Sequence, residues 1–263
     1  MKNIKKKILV SALCFLPIIT SGCDFSININ KKENNKEINN ISVSKLDNGK
    51  DYIYDAYYSK NTKADSYSID KTYYAKDIVV PFINIDSNYA SKANGEIKSV
   101  FDEAISTYNE GVSNKIVYVD ECNYKKYINN NYASIILTYA VGGTDLPIVH
   151  YYTYNINLSD GQELSYEDIY KLAGFSSSNI ESKVKDAITN TMKKELSDFT
   201  AENYPSGTNF DIYNDQSIDN YNKSVKNNSL KYFISENGEL NIVVTLSIPA
   251  GRGSYDTIIT VEK

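Results

Sequence analysis

Three patterns in the sequence predict an α+β fold in which two amphipathic helices pack on a largely antiparallel sheet. Alternating apolar and polar residues mark several strands, and apolar residues spaced three and four apart mark the two helices. The elements follow no regular strand–helix alternation, which favours α+β over a parallel α/β fold. The chain has 263 residues, 41% of them hydrophobic, enough for one large domain or two smaller ones.

Residues 139–170 carry the strongest local signals. Alternate residues from His150 to Leu158 share one face of a predicted half-buried strand, with Tyr152 among them. Asp160–Gly161 predicts a sharp turn. Ser165 and Asp168 have capping-box spacing, which predicts a short helix that ends near Gly174.

Before this stretch, residues 73–85 are rich in β-forming residues, and Pro81 predicts a sheet edge or a strand break. A helix is expected next, with Gly111 as its C-cap. Strands at residues 115–124 and 132–139, together with the strand around Tyr152, predict an antiparallel meander. The apolar stripe of the helix that precedes Gly111 consists of Ile97, Phe101, Ala104, Ile105 and Tyr108.

After this stretch, Ser178 and Glu181 predict a capping box that begins a helix of about five turns. Residues 200–228 are predicted to be a loop with one short helix at 215–221. Two closing strands, at 240–248 and 257–261, are joined by residues 250–254. The stripe of the helix consists of Ile180, Val184, Ile188, Met192 and Leu196.

The N-terminus has the features of an export signal. Four lysines precede an apolar run, residues 8–19, that is too short to span a bilayer comfortably. Thr20-Ser21-Gly22-Cys23 resembles a bacterial lipobox, which implies cleavage before Cys23, lipidation of its thiol, and anchoring to the outer face of the cytoplasmic membrane. An ordinary secretory signal is the alternative.

The predicted organisation is a signal peptide over residues 1–22, the lipidated cysteine with a flexible tether over 23–50, and an extracytoplasmic domain over 51–263. Division of this domain into a 70–125 part and a 130–263 part stays open. Cys122 is expected to be a buried apolar residue, since Cys14 leaves with the signal and Cys23 carries the lipid.

Charge and composition exclude several classes of function. Removal of residues 1–22, which contain four lysines and no acidic residue, changes the net charge from −5 to −9. Such a domain is not expected to bind nucleic acid, whereas a cationic protein is a possible partner. The chain has one histidine, so a histidine–cysteine zinc site lacks ligands, and no calcium-loop motif occurs. No metal or cofactor is predicted.

The Gly142-Gly143 pair, the tyrosine-rich strand and the segment from Asn157 to Tyr170 resemble a bacterial extracytoplasmic domain of unknown function. That domain forms the outer part of lysozyme-sensing anti-sigma-V factors and accompanies some peptidoglycan polysaccharide deacetylases. The resemblance covers about residues 70–263. Members of that family often have Ala-His where this chain has Thr144-Asp145, so a role of the family histidine is not transferred.

Candidate binding residues are Gly142, Gly143, Thr144, Asp145, His150, Tyr152 and Arg252. Arg252 is the only arginine, and a structural ion pair or aromatic contact is its alternative role. His150 is predicted to be a packed or edge residue, and no catalytic residue is assigned. The acidic pairs Asp102-Glu103, Asp120-Glu121 and Glu167-Asp168 are predicted to be surface residues whose members point in different directions.

These observations predict a surface lipoprotein that binds a cell-envelope or host partner, either a lysozyme-like cationic protein or a wall component, without catalysis. Two alternatives stay open. One is a hydrolase that acts on peptidoglycan through carboxylates, and the other is an accessory subunit of an envelope complex.

Overall fold

The computed structural model describes residues 43–59, 78–114, 118–129, 131–142, 147–197, 210–249 and 253–263. The predicted signal peptide, Cys23 and most of the predicted tether lie outside these residues. The described residues form eight strands and four helices, in the order β1 (Ile53–Ser59), β2 (Ile78–Ile83), α1 (Asn88–Asn114), β3 (Tyr118–Ile128), β4 (Tyr132–Gly142), β5 (Ile148–Asn157), α2 (Tyr166–Leu172), α3 (Ile180–Ser197), α4 (Phe210–Lys226), β6 (Lys231–Ile234), β7 (Leu240–Ser247) and β8 (Ser254–Val261).

The combination of helices with mostly antiparallel strands is present as predicted, but the prediction of two helices on one sheet is wrong. The first five strands form one sheet in the order β1-β2-β3-β4-β5, and the last three form a second sheet in the order β6-β7-β8. The antiparallel meander of β3, β4 and β5 is confirmed. The parallel pairing of β2 with β3 is possible because α1 connects these two strands.

The first core lies between α1 and the five-stranded sheet. Ile97, Phe101 and Ala104 of the predicted stripe are buried, and Ile105 and Tyr108 pack against the same core. The prediction that Gly111 is a C-cap is wrong, because α1 continues to Asn114. A glycine inside a helix costs about 1 kcal/mol relative to alanine, and the packed turns before it offset this cost.

Pro81 is neither at a sheet edge nor at a strand break. It lies within β2, between β1 and β3, opposite Asp55. The register of β1 shifts between Asp55 and Tyr57, and the parallel pairing with β3 involves Ile78. A residue without an amide hydrogen is tolerated here because the hydrogen-bond ladder is irregular beside it.

The second core lies between the three-stranded sheet and the helices α2, α3 and α4. All five residues of the stripe predicted for α3 are buried. The capping box predicted for Ser178 and Glu181 is not the arrangement found, because Ser178 Oγ lies 2.9 Å from Ser176 Oγ and Glu181 pairs with Lys185.

Residues 215–221 are helical as predicted, but the helix is not short, since α4 has 17 residues. Its inner face is formed by Phe210, Tyr213, Ser217 and Tyr221, of which Ser217 is fully buried. Tyrosine and serine give a weak hydrophobic period, so the pattern resembles a polar loop. The sequence analysis also missed β6, which has four residues.

The capping box of α2 is confirmed. Ser165 Oγ accepts a hydrogen bond from the Asp168 amide, and the Asp168 carboxylate accepts one from the Ser165 amide. Gly174 follows the helix at φ +90°, in the left-handed region that glycine adopts most readily.

Residues 43–50, which fall within the predicted tether, contact the folded domain. Val43 packs against the first core. The side chain of the fully buried Asn84 accepts a hydrogen bond from the Asp47 amide and donates one to the Asp47 carbonyl, at 2.8 and 2.7 Å. The described residues from Val43 to Lys263 belong to one compact unit.

Candidate functional site

The structure describes three of the candidate binding residues. Gly142 is buried at the end of β4, opposite Tyr118 of β3, and His150 and Tyr152 lie on β5. Gly143, Thr144, Asp145 and Arg252 lie outside the described residues. The site is therefore built from the residues around β5.

β5 is the terminal strand of the five-stranded sheet, and its first half is the more exposed half. Ile148 is 48% exposed and His150 is also exposed, whereas Tyr154 and Ile156 farther along are buried. The predicted half-buried alternation is wrong toward the C-terminal end of the strand, because Asn155, between Tyr154 and Ile156, is also buried and donates a hydrogen bond to the Tyr232 carbonyl of β6. At its N-terminal end, apolar and aromatic side chains face solvent beside a sheet edge.

His150 lies opposite Tyr139 of β4, with 6.1 Å between the ring centroids. Tyr139 is fully buried, and its hydroxyl lies 2.9 Å from Thr107 Oγ1 of α1. Burial raises the pKa of Tyr139, with Glu103 adding to the increase and the Thr107 hydrogen bond opposing it. His150 therefore covers a buried tyrosine at the edge of the sheet.

Tyr152 is half-buried on the same side of the sheet as Tyr139. Its ring lies 5.8 Å from Lys231 Nζ of β6, within the range of a cation–π contact. Burial raises the pKa of Tyr152, and the Glu103 carboxylate contributes to the increase. The negative charge of Glu103 therefore acts on both tyrosines.

On the opposite side of β5, a tyrosine again lies near carboxylates. Burial raises the pKa of Tyr151, and the carboxylates of Glu121 on β3 and Asp256 on β8 contribute. Asp256 is oriented by Thr245, whose hydroxyl donates a hydrogen bond to it at 2.6 Å. We call Ile148, His150, Tyr151 and Tyr152, with the carboxylates of Glu103, Glu121 and Asp256, the β5 edge surface.

The β5 edge surface combines features that suit recognition. Tyrosine rings provide contact area with little rotamer entropy, and their hydroxyl groups provide hydrogen bonds. Carboxylates on both sides of the strand attract cationic groups. Because β5 is part of a hydrogen-bonded sheet, these side chains are held on a rigid element.

The acidic pair Glu167-Asp168 has structural and surface roles. Glu167 pairs with Lys171 at 2.6 Å, whereas Asp168 caps α2. Hydrogen bonds from Ser165 lower the pKa of the Asp168 carboxyl group. A carboxylic acid that protonates a leaving group needs a raised pKa. The pKa of Asp168 is instead lowered, which does not suit this role.

Cys122 is a free, fully buried residue, as predicted. Burial, followed by the nearby Glu121 carboxylate, raises the pKa of its thiol to about 12. A thiol of this kind is a poor nucleophile at neutral pH, because the thiolate is the reactive form.

No pattern in the sequence predicted Glu103, Thr107, Lys231 and Asp256 as neighbours of β5. Glu103 and Thr107 are one helical turn apart on α1. This spacing is the only local signal that places any two of the four residues together. The rest become neighbours through the pairing of distant strands, which no sequence spacing reveals.

No protein-family model matches this chain, and no curated protein sequence matches it. The resemblance of residues 139–170 to an extracytoplasmic domain therefore stays a prediction. Within the described residues, no group of three or more His, Cys, Asp or Glu side chains is placed to hold a metal ion. None of the helices described is long and apolar enough to cross a membrane.

Proposed function

We propose that this chain is a lipid-anchored binding protein on the outer face of the bacterial cytoplasmic membrane, and that it binds a cationic protein without transforming it. The signal-like N-terminus and Cys23 support the location. The resemblance of residues 139–170 to the outer domain of lysozyme-sensing regulators supports the class of partner. The net charge of −9 that remains without residues 1–22 supports attraction of a basic protein.

The observation that carries the proposal is the β5 edge surface. Three carboxylates, from α1, β3 and β8, contribute to the raised pKa values of the tyrosines at this sheet edge. Aromatic residues provide most of the contact energy in many protein interfaces, while charge complementarity speeds association and selects the partner. A wall component is the other candidate ligand, and a separate arm of the experiment tests it.

The experiment measures binding of lysozyme to the purified full chain in detergent micelles by calorimetry. Lysozyme is expected to bind at low ionic strength and to bind more weakly at high ionic strength, because salt screens the charges. An acidic protein of similar size is expected not to bind. The proposal is wrong if lysozyme and the acidic protein behave alike.

Matched variants locate the surface. Ile148→Ser is expected to weaken lysozyme binding by about tenfold, since an exposed apolar contact at the centre of an interface is worth about 1–2 kcal/mol. Ile212→Ser, on α4, is the control, because Ile212 is 51% exposed and Ile148 is 48% exposed. Equal effects of the two variants would place the binding surface elsewhere.

A second pair of variants tests charge. Glu103→Gln is expected to weaken binding about two- to fivefold and to reduce its salt dependence. Asp219→Asn on α4 removes the same charge from a site in the other half of the domain. The alternative outcome is that the chain binds insoluble peptidoglycan and not lysozyme, and that Glu103→Gln weakens this binding. That outcome would identify the wall as the ligand.

Lipidation has its own test. Cys23→Ala is expected to abolish incorporation of a labelled fatty acid into the chain, because the thiol that would carry the lipid is absent. Equal labelling of the variant and the parent chain would contradict lipid anchoring, and it would leave the binding measurements unaffected.

A further inference from the structure

A second surface, with the opposite charge, lies along α3 and the C-terminal end of β8. A groove of about 510 Å³ runs between α3 and the end of the chain at β8. This volume is within the range of pockets that hold small ligands or short polymer segments. The α3 residues that line the groove lie outside the buried stripe of that helix.

The groove is basic in an acidic protein. Its charged lining consists of four lysines and two carboxylates, whereas the chain as a whole has a net charge of −5. An excess of positive charge in a concave site focuses the field on an anionic ligand. The six residues are Lys183, Lys193, Lys194, Lys263, Asp186 and Glu262.

Within the described part of the chain, the lysines of the groove form no ion pairs. The pairs found there are Lys92–Glu96, Lys98–Asp102, Lys171–Glu167 and Lys185–Glu181, and none includes a lysine of the groove. Lys185 shows the contrast, since it is on the same helix and pairs with Glu181 one turn earlier. The ammonium groups of the groove are thus available to a ligand.

The side chains of the groove select among anionic ligands. The compact ammonium group of lysine binds phosphate as a point charge, so several lysines in a row suit a ligand that carries repeated phosphate charges. Thr189 and Asn190 add a hydroxyl and an amide to the lining, which can bind the hydroxyl groups of a sugar or polyol. The large aliphatic and aromatic side chains that contact lipid chains are missing from this lining.

We propose that the groove between α3 and β8 binds a phosphodiester-linked polyol or sugar polymer. Lysine ammonium groups contact successive phosphates, and the neutral polar side chains contact the hydroxyl groups between them. This site is independent of the β5 edge surface. Asp256 and Glu262 are six residues apart on the same extended segment, so the two surfaces are about 20 Å apart along β8.

The experiment titrates the full chain, in detergent micelles, with a synthetic glycerol-phosphate oligomer. Binding is expected at low ionic strength, and a polyglycerol oligomer of equal length without phosphate is expected not to bind. Inorganic phosphate is expected to compete only weakly, because it reaches fewer lysines at a time. Equal binding of the phosphate-free oligomer, or no binding of either oligomer, would overturn the proposal.

Two double variants with the same loss of charge locate the site. Lys193→Gln with Lys194→Gln is expected to weaken binding of the oligomer about three- to tenfold. Lys223→Gln with Lys226→Gln removes two exposed lysines from the corresponding end of α4 and is expected to have little effect. Thermal unfolding of both double variants is expected to match the parent chain.

Three outcomes of this comparison would overturn the proposal. Equal loss in the two double variants would mean that only total charge matters. Unchanged binding in Lys193→Gln with Lys194→Gln would place the ligand elsewhere. The third outcome is that the parent chain binds vesicles containing phosphatidylglycerol but not the oligomer, and that Lys193→Gln with Lys194→Gln loses this vesicle binding. That outcome would assign the groove to the membrane surface.

Discussion

Ser134 Oγ donates a hydrogen bond to Asn155 Oδ1 at 2.7 Å, and both side chains are buried between β4, β5 and β6. Asn155 Nδ2 donates to the carbonyl of Tyr232, and the amide of Ile234 donates to Ser134 Oγ. Two polar side chains of the first sheet therefore pair with the backbone of β6 in the second sheet. This contact fixes how the two sheets meet.

Asn155→Ala is expected to lower the free energy of unfolding by about 2–4 kcal/mol. The substitution leaves the Tyr232 carbonyl without its partner in a buried site, and it opens a small cavity. Urea unfolding followed by circular dichroism measures the change. Asn123→Ala, at an exposed position on β3, is the control and is expected to change stability by less than about 0.5 kcal/mol. Similar losses in both variants would contradict the role of the buried network.

Gly161→Ala is expected to destabilise the domain more than Gly238→Ala. Both glycines have positive φ, +74° and +76°, so a side chain costs about 1–2 kcal/mol at either position. A Cβ at Gly161 would also lie 2.8 Å from Ser87 Cβ, whereas Gly238 has open space around it. The clash is expected to add about 1–3 kcal/mol, measured by urea unfolding. Equal losses would contradict the close contact between this turn and the start of α1.

Ser165→Ala is expected to cost about 1 kcal/mol near neutral pH, since it removes the N-cap of α2. Hydrogen bonds from Ser165 hold the pKa of Asp168 below its usual value of 3.8. Because the folded pKa is the lower one, the stabilisation is complete above 3.8 and is lost as pH falls through the folded pKa.

The difference in stability between the parent chain and Ser165→Ala is therefore expected to shrink at acidic pH. Urea unfolding at a series of pH values measures it. Glu167→Gln, which keeps the cap and removes a neighbouring charge, is the control. A difference that stays constant below the usual pKa would exclude the Asp168 interaction as its source.

Cys122 is expected to resist alkylation in the native protein at neutral pH and to react rapidly after unfolding. Burial excludes the reagent, and a thiol with a pKa of about 12 has almost no thiolate at pH 7. Alkylation is measured by mass spectrometry of the peptide that contains Cys122, with and without urea. Rapid reaction of the native protein would contradict its position in the first core.

Local sequence signals predicted the elements that depend on few neighbours. The five apolar residues of α3 and the capping box of Ser165 and Asp168 were predicted correctly, because helix periods and caps act over a few residues. The strand β5 was also predicted, but the burial of Asn155 on its other face was not. The meander of β3, β4 and β5 followed because its connections are short. In contrast, only the middle of α4 was predicted as helix, because Ser217 and tyrosines form its buried face.

The amino-acid sequence by itself determined the mixed α and β composition, the pairing of adjacent strands and the burial of Cys122. Only the tertiary structure decided that the strands divide into two sheets, that Asn155 is buried, and that Glu103, Glu121 and Asp256 surround β5. The physical reason is that periodicity and capping are local, whereas side chains from distant segments become neighbours only when the sheets pack. Charge patterns on such surfaces are therefore invisible until the strands are in place.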